Sequence, residues 1–137
     1  MKVTQEECQL HMNRVPVNQY LNLSILEVEE GYCLVKMPYN PVFANSWNNT
    51  HGGALMTLAD IAFYFALATL NGLQASGDFA TAELKSNFLK PTSKTDLYAE
   101  ARVIKNGKRI IFGDVAIRDI SGIRISHATV SYIRTDV

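Results

Sequence analysis

Residues 54–70, ALMTLADIAFYFALATL, are small or apolar almost without interruption, and one carboxylate, Asp60, stands among them. Asn49-Thr50 precedes the run and Asn71-Gly72 follows it, so the pattern predicts a long helix over 51–71 with a cap signal at each end. A helix that is apolar nearly all round must be covered nearly all round. The run falls short of the ~20 residues a membrane span requires and holds an acid, so it predicts a buried core helix and no membrane partner.

Around this helix the apolar period is two. LSILEVEEGYCLVKMPYN alternates about Glu30-Gly31 and predicts two strands joined by a tight turn. FATAELKSNFL predicts a strand with Ala82, Leu84, Ser86 and Phe88 on one face, ended by Pro91. DLYAEARVIK predicts another, with Leu97, Ala99, Ala101 and Val103 on one face. Asn106-Gly107 signals a two-residue hairpin, and KRIIFGDVAIRDI and IRISHATVSYIRT form a second hairpin about Ser121-Gly122. Upstream, residues 4–14 predict an amphipathic helix, with Thr4 and Glu7 in capping-box spacing and Pro16 as its stop. Residues 17–22 read as a short turn or helix, and 40–50 and LQASGD as loops. The expected fold is α+β, a single domain over 1–137 with 1–16 as a helical extension and an antiparallel sheet wrapped around one central helix. A sheet covers one side of such a helix, and a second subunit is the economical cover for the rest.

Composition narrows the function. Thirteen basic and thirteen acidic residues give a formal net charge of zero, which argues against nucleic acid as a partner. Cys8 and Cys33 form no C-x-x-C pair and read as packing residues. The first sixteen residues hold no continuous apolar segment of the secretory kind, so a reducing, cytoplasmic setting is expected. No cluster of His and Cys has metal-ligand spacing, so no metal is expected, and no G-x-S-x-G elbow is present.

Gly52 and Gly53 fall in the first turn of the long helix, where glycine costs about 1 kcal/mol relative to alanine. Either a neighbouring element packs closely there, or a ligand approaches the free N–H groups and the positive end of the helix dipole. His51 is placed to shape that turn. Asp60 lies seven residues after Gly53 on the same face, with Met56, Phe63, Tyr64 and Leu67 along that side. A carboxylate in such company is either held by a neighbouring hydroxyl or used in chemistry. His11 reads as exposed and His127 as structural. Lys90, Lys105, Lys108 and Arg109 form a basic group that serves solubility or binds phosphates.

The pattern N-x(5)-H-G-G-x(6)-A-D, at Asn45, His51-Gly52-Gly53 and Ala59-Asp60, resembles the hotdog-fold acyl-CoA thioesterases of the phenylacetate-degradation, PaaI-like, type. The resemblance extends over about 17–135 and includes NFLKP at 87–91. It implies a homodimer, often assembled further into a homotetramer, with the active site between subunits. The Gly52 N–H would polarise the thioester carbonyl, and Asp60 of the other subunit would act as nucleophile or general base. Asn45 would position the thioester or water, and Thr81 would orient water or the acid. His51, Gly53, Met56, Phe63 and Tyr64 would shape the substrate pocket, while Lys90, Lys105, Lys108 and Arg109 would meet the phosphates of coenzyme A. Coenzyme A would enter as part of the substrate, with no separate cofactor. A hotdog module that binds acyl groups without cleaving them is the alternative. A hydratase would need a catalytic histidine, for which His51 is not an obvious candidate.

Overall fold

The structure is a computed structural model that describes residues 1–73 and 78–136. Its elements are α1 (Gln5–Met12), α2 (Pro16–Leu21), β1 (Ser24–Glu29), β2 (Tyr32–Met37), α3 (Gly52–Asn71), β3 (Phe79–Phe88), β4 (Leu97–Asn106), β5 (Ile110–Asp119) and β6 (Arg124–Arg134), with a short 3-10 turn at Pro41–Phe43. The loop expected at LQASGD lies for the most part outside the described residues, at 74–77.

The six strands form one antiparallel sheet in the order β1-β2-β4-β5-β6-β3. α3 lies across it, and Leu58, Ala62, Phe63, Ala66 and Leu67 meet Val35, Ala99, Val115, Ile117 and Val130 in one core. This is the expected sheet around a central helix. At 20 residues α3 is long and apolar enough to cross a membrane, so the expectation from length does not hold. Burial carries the argument instead: ten of its residues are buried within the chain itself.

Two glycines let the strands pack. A Cβ on Gly113 would lie 2.0 Å from the carbonyl oxygen of Arg102 and 2.4 Å from the Phe63 ring. Gly122, at φ +86°, closes the β5–β6 turn, where Asp119 Oδ1 accepts from the N–H groups of Ser121 and Ile123 at 2.9 Å each. The β4–β5 turn differs from expectation. Residues 107–109 connect the strands, and the Gly107 N–H donates to the Ile110 carbonyl at 3.0 Å. Gly107 is absent from the positive-φ residues, so the mirror-image two-residue turn suggested by Asn-Gly is not formed.

The two sheet edges are treated differently. Gln5 and Gln9 of α1 bond the backbone of β1: Gln5 Nε2 donates to Ile25 and Leu26, and Gln9 Oε1 accepts from the Ile25 N–H. The other edge, β3, is ten residues long, largely exposed, and pairs only with β6 among the described strands. His11 is not exposed as expected. It is partly buried, stacked on Tyr64 at 5.7 Å with Phe65 at its edge, and burial, with Arg14 beside it, holds its pKa below the ordinary histidine value. His127 pairs with Asp114 at 3.0 Å on the outer face of the sheet. Cys8 and Cys33 are free and fully buried.

Candidate active site

The start of α3 is capped by a residue that cap statistics rank low. His51, not Asn49 or Thr50, is the N-cap: its Nδ1 accepts from the Gly53 N–H at 2.9 Å. Its imidazole reaches two residues forward, as an Asp or Asn side chain would. The His51 carbonyl takes the N–H groups of Ala54 and Leu55. The Gly52 N–H is left without an acceptor among the described residues, at the positive end of a 20-residue helix.

The preceding loop folds back on itself around one side chain. Asn45 Oδ1 accepts from the N–H groups of Trp47 at 2.9 Å and Asn49 at 3.1 Å, and the Asn45 N–H donates to the Asn49 carbonyl at 2.7 Å. The result is a cavity of ≈ 560 Å³ whose lining includes Asn45, Trp47, Gly52, Leu55, Phe88 and Lys90. Phe88 closes over the helix start: a Cβ on Gly52 would lie 3.2 Å from its Cζ. The two readings of the glycine pair therefore meet at one place, since Gly52 is both closely packed and turned toward a cavity.

Asp60 sits two turns along α3. Its Oδ1 accepts from Thr81 Oγ1 at 2.9 Å and from Tyr132 Oη at 2.8 Å. Oδ2 has no protein donor among the described residues. The carboxylate is partly exposed and not sealed away as its apolar neighbours suggested. The open side of α3 is a stripe of Gly53, Met56, Asp60, Ile61 and Tyr64, each partly or fully exposed, with Asp60 at its centre. Phe63 and Leu67, expected on this face, are fully buried under the sheet, and the Phe63 ring packs 5.6 Å from that of Tyr132. Phe63 is thus a core residue and not a pocket wall.

Thr81 and Tyr132 are direct cross-strand partners, and a register shift follows between Thr81 and Glu83. That bulge reconciles two facts. Leu84 and Ser86 face the helix, so strict alternation would turn Thr81 outward, but the extra residue turns it back toward Asp60. Tyr132 was missed from the sequence, although Ala128, Val130 and Tyr132 alternate onto one buried face, and a phenol there needs a partner. Burial first, and then the Asp60 charge, push the Tyr132 phenol far above its ordinary pKa, so it remains a donor.

The basic residues separate. Lys90 lines the cavity at the N-terminus of α3. Lys105, Lys108 and Arg109 lie in and beside the β4–β5 turn, which meets the other end of the helix through Asn71 Nδ2 donating to Asn106 Oδ1 at 3.0 Å. A 20-residue helix puts ~30 Å between those ends, so within one chain the four cations do not form one group.

A sequence profile described as "Thioesterase superfamily" matches residues 48–126, from the loop before α3 into β6. The chain belongs to the thioesterase superfamily. The acyl-coenzyme A thioesterase PaaI of Escherichia coli is 34% identical over 98 residues, 71% of this chain and 66% of that protein. A solved thioesterase-superfamily structure superposes with a TM-score of 0.87 at 27% identity, covering 94% of this chain and 96% of its own. A hypothetical thioesterase protein of Streptococcus pneumoniae, solved with coenzyme A, superposes with a TM-score of 0.75 at 25% identity over 83% of this chain and 86% of its own. The fold is the hotdog fold of PaaI-like thioesterases, with α3 as the wrapped helix.

Proposed function

We propose that this protein is an acyl-CoA thioesterase that works as a homodimer, with each active site formed by the Gly52 end of one α3 and the Asp60 of the other. The observation that supports this best is the pair of uncommitted groups on one helix, the Gly52 N–H and Asp60 Oδ2. The first is an oxyanion donor at a helix N-terminus. The second is a carboxylate oxygen facing the open side. Coenzyme A as the thiol is supported by the name of the PaaI relative and by the pneumococcal neighbour solved with coenzyme A.

In the reaction the Gly52 N–H donates to the thioester carbonyl oxygen and stabilises the negative charge that develops on it. Asp60 Oδ2 acts in one of two ways. As nucleophile it attacks the carbonyl carbon, the C–S bond breaks, coenzyme A leaves as thiolate, and water then cleaves the acyl-aspartyl anhydride. As general base it takes a proton from water while the water oxygen attacks the same carbon. Either way one water is consumed, and the products are the free acid and coenzyme A. Asn45 positions the thioester at the cavity, and Lys90 faces the phosphates. Lys105, Lys108 and Arg109 reach that end only from the partner. No metal or separate cofactor takes part, and the setting is cytoplasmic.

The open edge of the sheet supports the dimer. Among the described residues nothing pairs with the outer side of β3, a ten-residue edge, and pairing it with a second β3 would satisfy its open backbone groups while bringing two α3 helices side by side along the stripe centred on Asp60. Two such dimers form a tetramer. The direct test is hydrolysis of a panel of acyl-CoA thioesters by wild type and Asp60→Asn. The proposal expects hydrolysis of at least one, lost in the variant by a hundred-fold or more, on the order of removing an essential reacting group. Equal turnover in the two proteins would contradict it.

A further inference from the structure

We propose that Tyr132 is a positioning residue for the thioester reaction: with Thr81 it pins Oδ1 of Asp60 and leaves Oδ2 as the oxygen presented to substrate. This rests on the reading of Asp60 as the acting carboxylate. An aspartate χ2 torsion is broad and two-fold, so a single hydrogen bond leaves the carboxylate free to swing and exchange its oxygens. Here two donors come from two strands onto the same oxygen, Thr81 Oγ1 at 2.9 Å from β3 and Tyr132 Oη at 2.8 Å from β6. The strands hold the donors in register, because Thr81 and Tyr132 face each other across the ladder.

Tyr132 is the more rigid of the two. Its residue is only 6% exposed, its ring packs against Phe63, and its hydroxyl also lies 3.2 Å from the Asp60 carbonyl oxygen. Thr81 is exposed on the edge strand. The phenol is therefore the fixed anchor that orients the acid before the second subunit and substrate complete the site.

The test is Tyr132→Phe, which keeps the ring and removes only the donor, assayed beside Asp60→Asn on the best acyl-CoA of the panel. Expected for Tyr132→Phe is a kcat about ten-fold lower, the order for losing one hydrogen bond to a charged group. KM is expected to be unchanged. A residue that only fills the core would move the melting temperature and leave the kcat of the folded enzyme unchanged. A wild-type kcat in Tyr132→Phe, with Asp60→Asn inactive, would overturn the positioning role and leave the thioesterase reading standing. Full turnover in Asp60→Asn would overturn both. Should Tyr132→Phe not fold, 3-fluorotyrosine at position 132 keeps the shape and strengthens the donor. It is expected to shift kcat measurably with KM unmoved, and a wild-type kcat would again overturn the role.

Discussion

Gly52 and Asp60 stand eight residues apart on one straight helix, ~12 Å along its axis. A single carbonyl cannot meet both, because reacting atoms must come within about 3–3.5 Å. In the proposed reaction the uncommitted N–H and the uncommitted carboxylate oxygen of one chain would therefore serve two different sites. Two α3 helices packed antiparallel along the open stripe would place each Gly52 near the other chain's Asp60.

The cap tests how the Gly52 N–H is kept free. His51→Ala removes the acceptor for the Gly53 N–H. Loss of a helix cap costs about 1 kcal/mol, which for a domain of this size lowers Tm by roughly 3–5 °C. The accompanying prediction is a fall in kcat/KM, because the helix start that aims Gly52 is loosened. Differential scanning calorimetry and steady-state kinetics on the same preparation check both.

Gly113 tests the core independently of the chemistry. A methyl group there would overlap the Arg102 carbonyl at 2.0 Å and the Phe63 ring at 2.4 Å. Backbone cannot yield as a side-chain tip can, so Gly113→Ala is expected to destabilise by about 3 kcal/mol, at the upper end for overpacking. Urea denaturation should show a lowered midpoint.

Alkaline pH should weaken the fold with a predictable sign. Burial, with Glu7 adding to it, pushes the Cys8 thiol from 9.0 to about 11, and burial pushes Cys33 upward further. The folded state favours the neutral thiol. The unfolded chain therefore releases its proton first, and the contribution is complete below pH 9 and lost as pH rises from there, through about pH 11 for Cys8 and beyond it for Cys33. Denaturation midpoints across that range should fall. At pH 8 a thiol reagent should find no reactive cysteine in the native protein and both after unfolding.

How far these features could be read from the residues depends on the kind of order involved. α3, the strands and their pairing into a sheet follow from apolar period and from turns such as Asp119–Gly122. Asp60 and Gly52 stand out because each departs from its surroundings, whereas Asn45, in a loop with three other asparagines, is marked only by the family resemblance. The helical wheel grouped Phe63 with Asp60, but α3 is apolar all round, so its sequence does not say where the sheet ends and the open stripe begins. Thr81 reaches Asp60 only through the β3 bulge, and a one-residue slip in parity is invisible in an alternating pattern. Tyr132 lies 72 positions from Asp60 and meets it only because β6 runs beside β3. Lys90 and the Lys105–Arg109 turn look adjacent in a list of cations and stand at opposite ends of the fold.

The shared site is tested most directly by subunit complementation. Asp60→Asn and Gly52→Val, each folded and each inactive alone, are unfolded together, refolded as a mixture and assayed. Random pairing makes half of the dimers mixed, and each mixed dimer holds one intact site of its two, so activity should return to about a quarter of wild type. A mixture no more active than its two parents would contradict a site built from the Gly52 of one subunit and the Asp60 of the other.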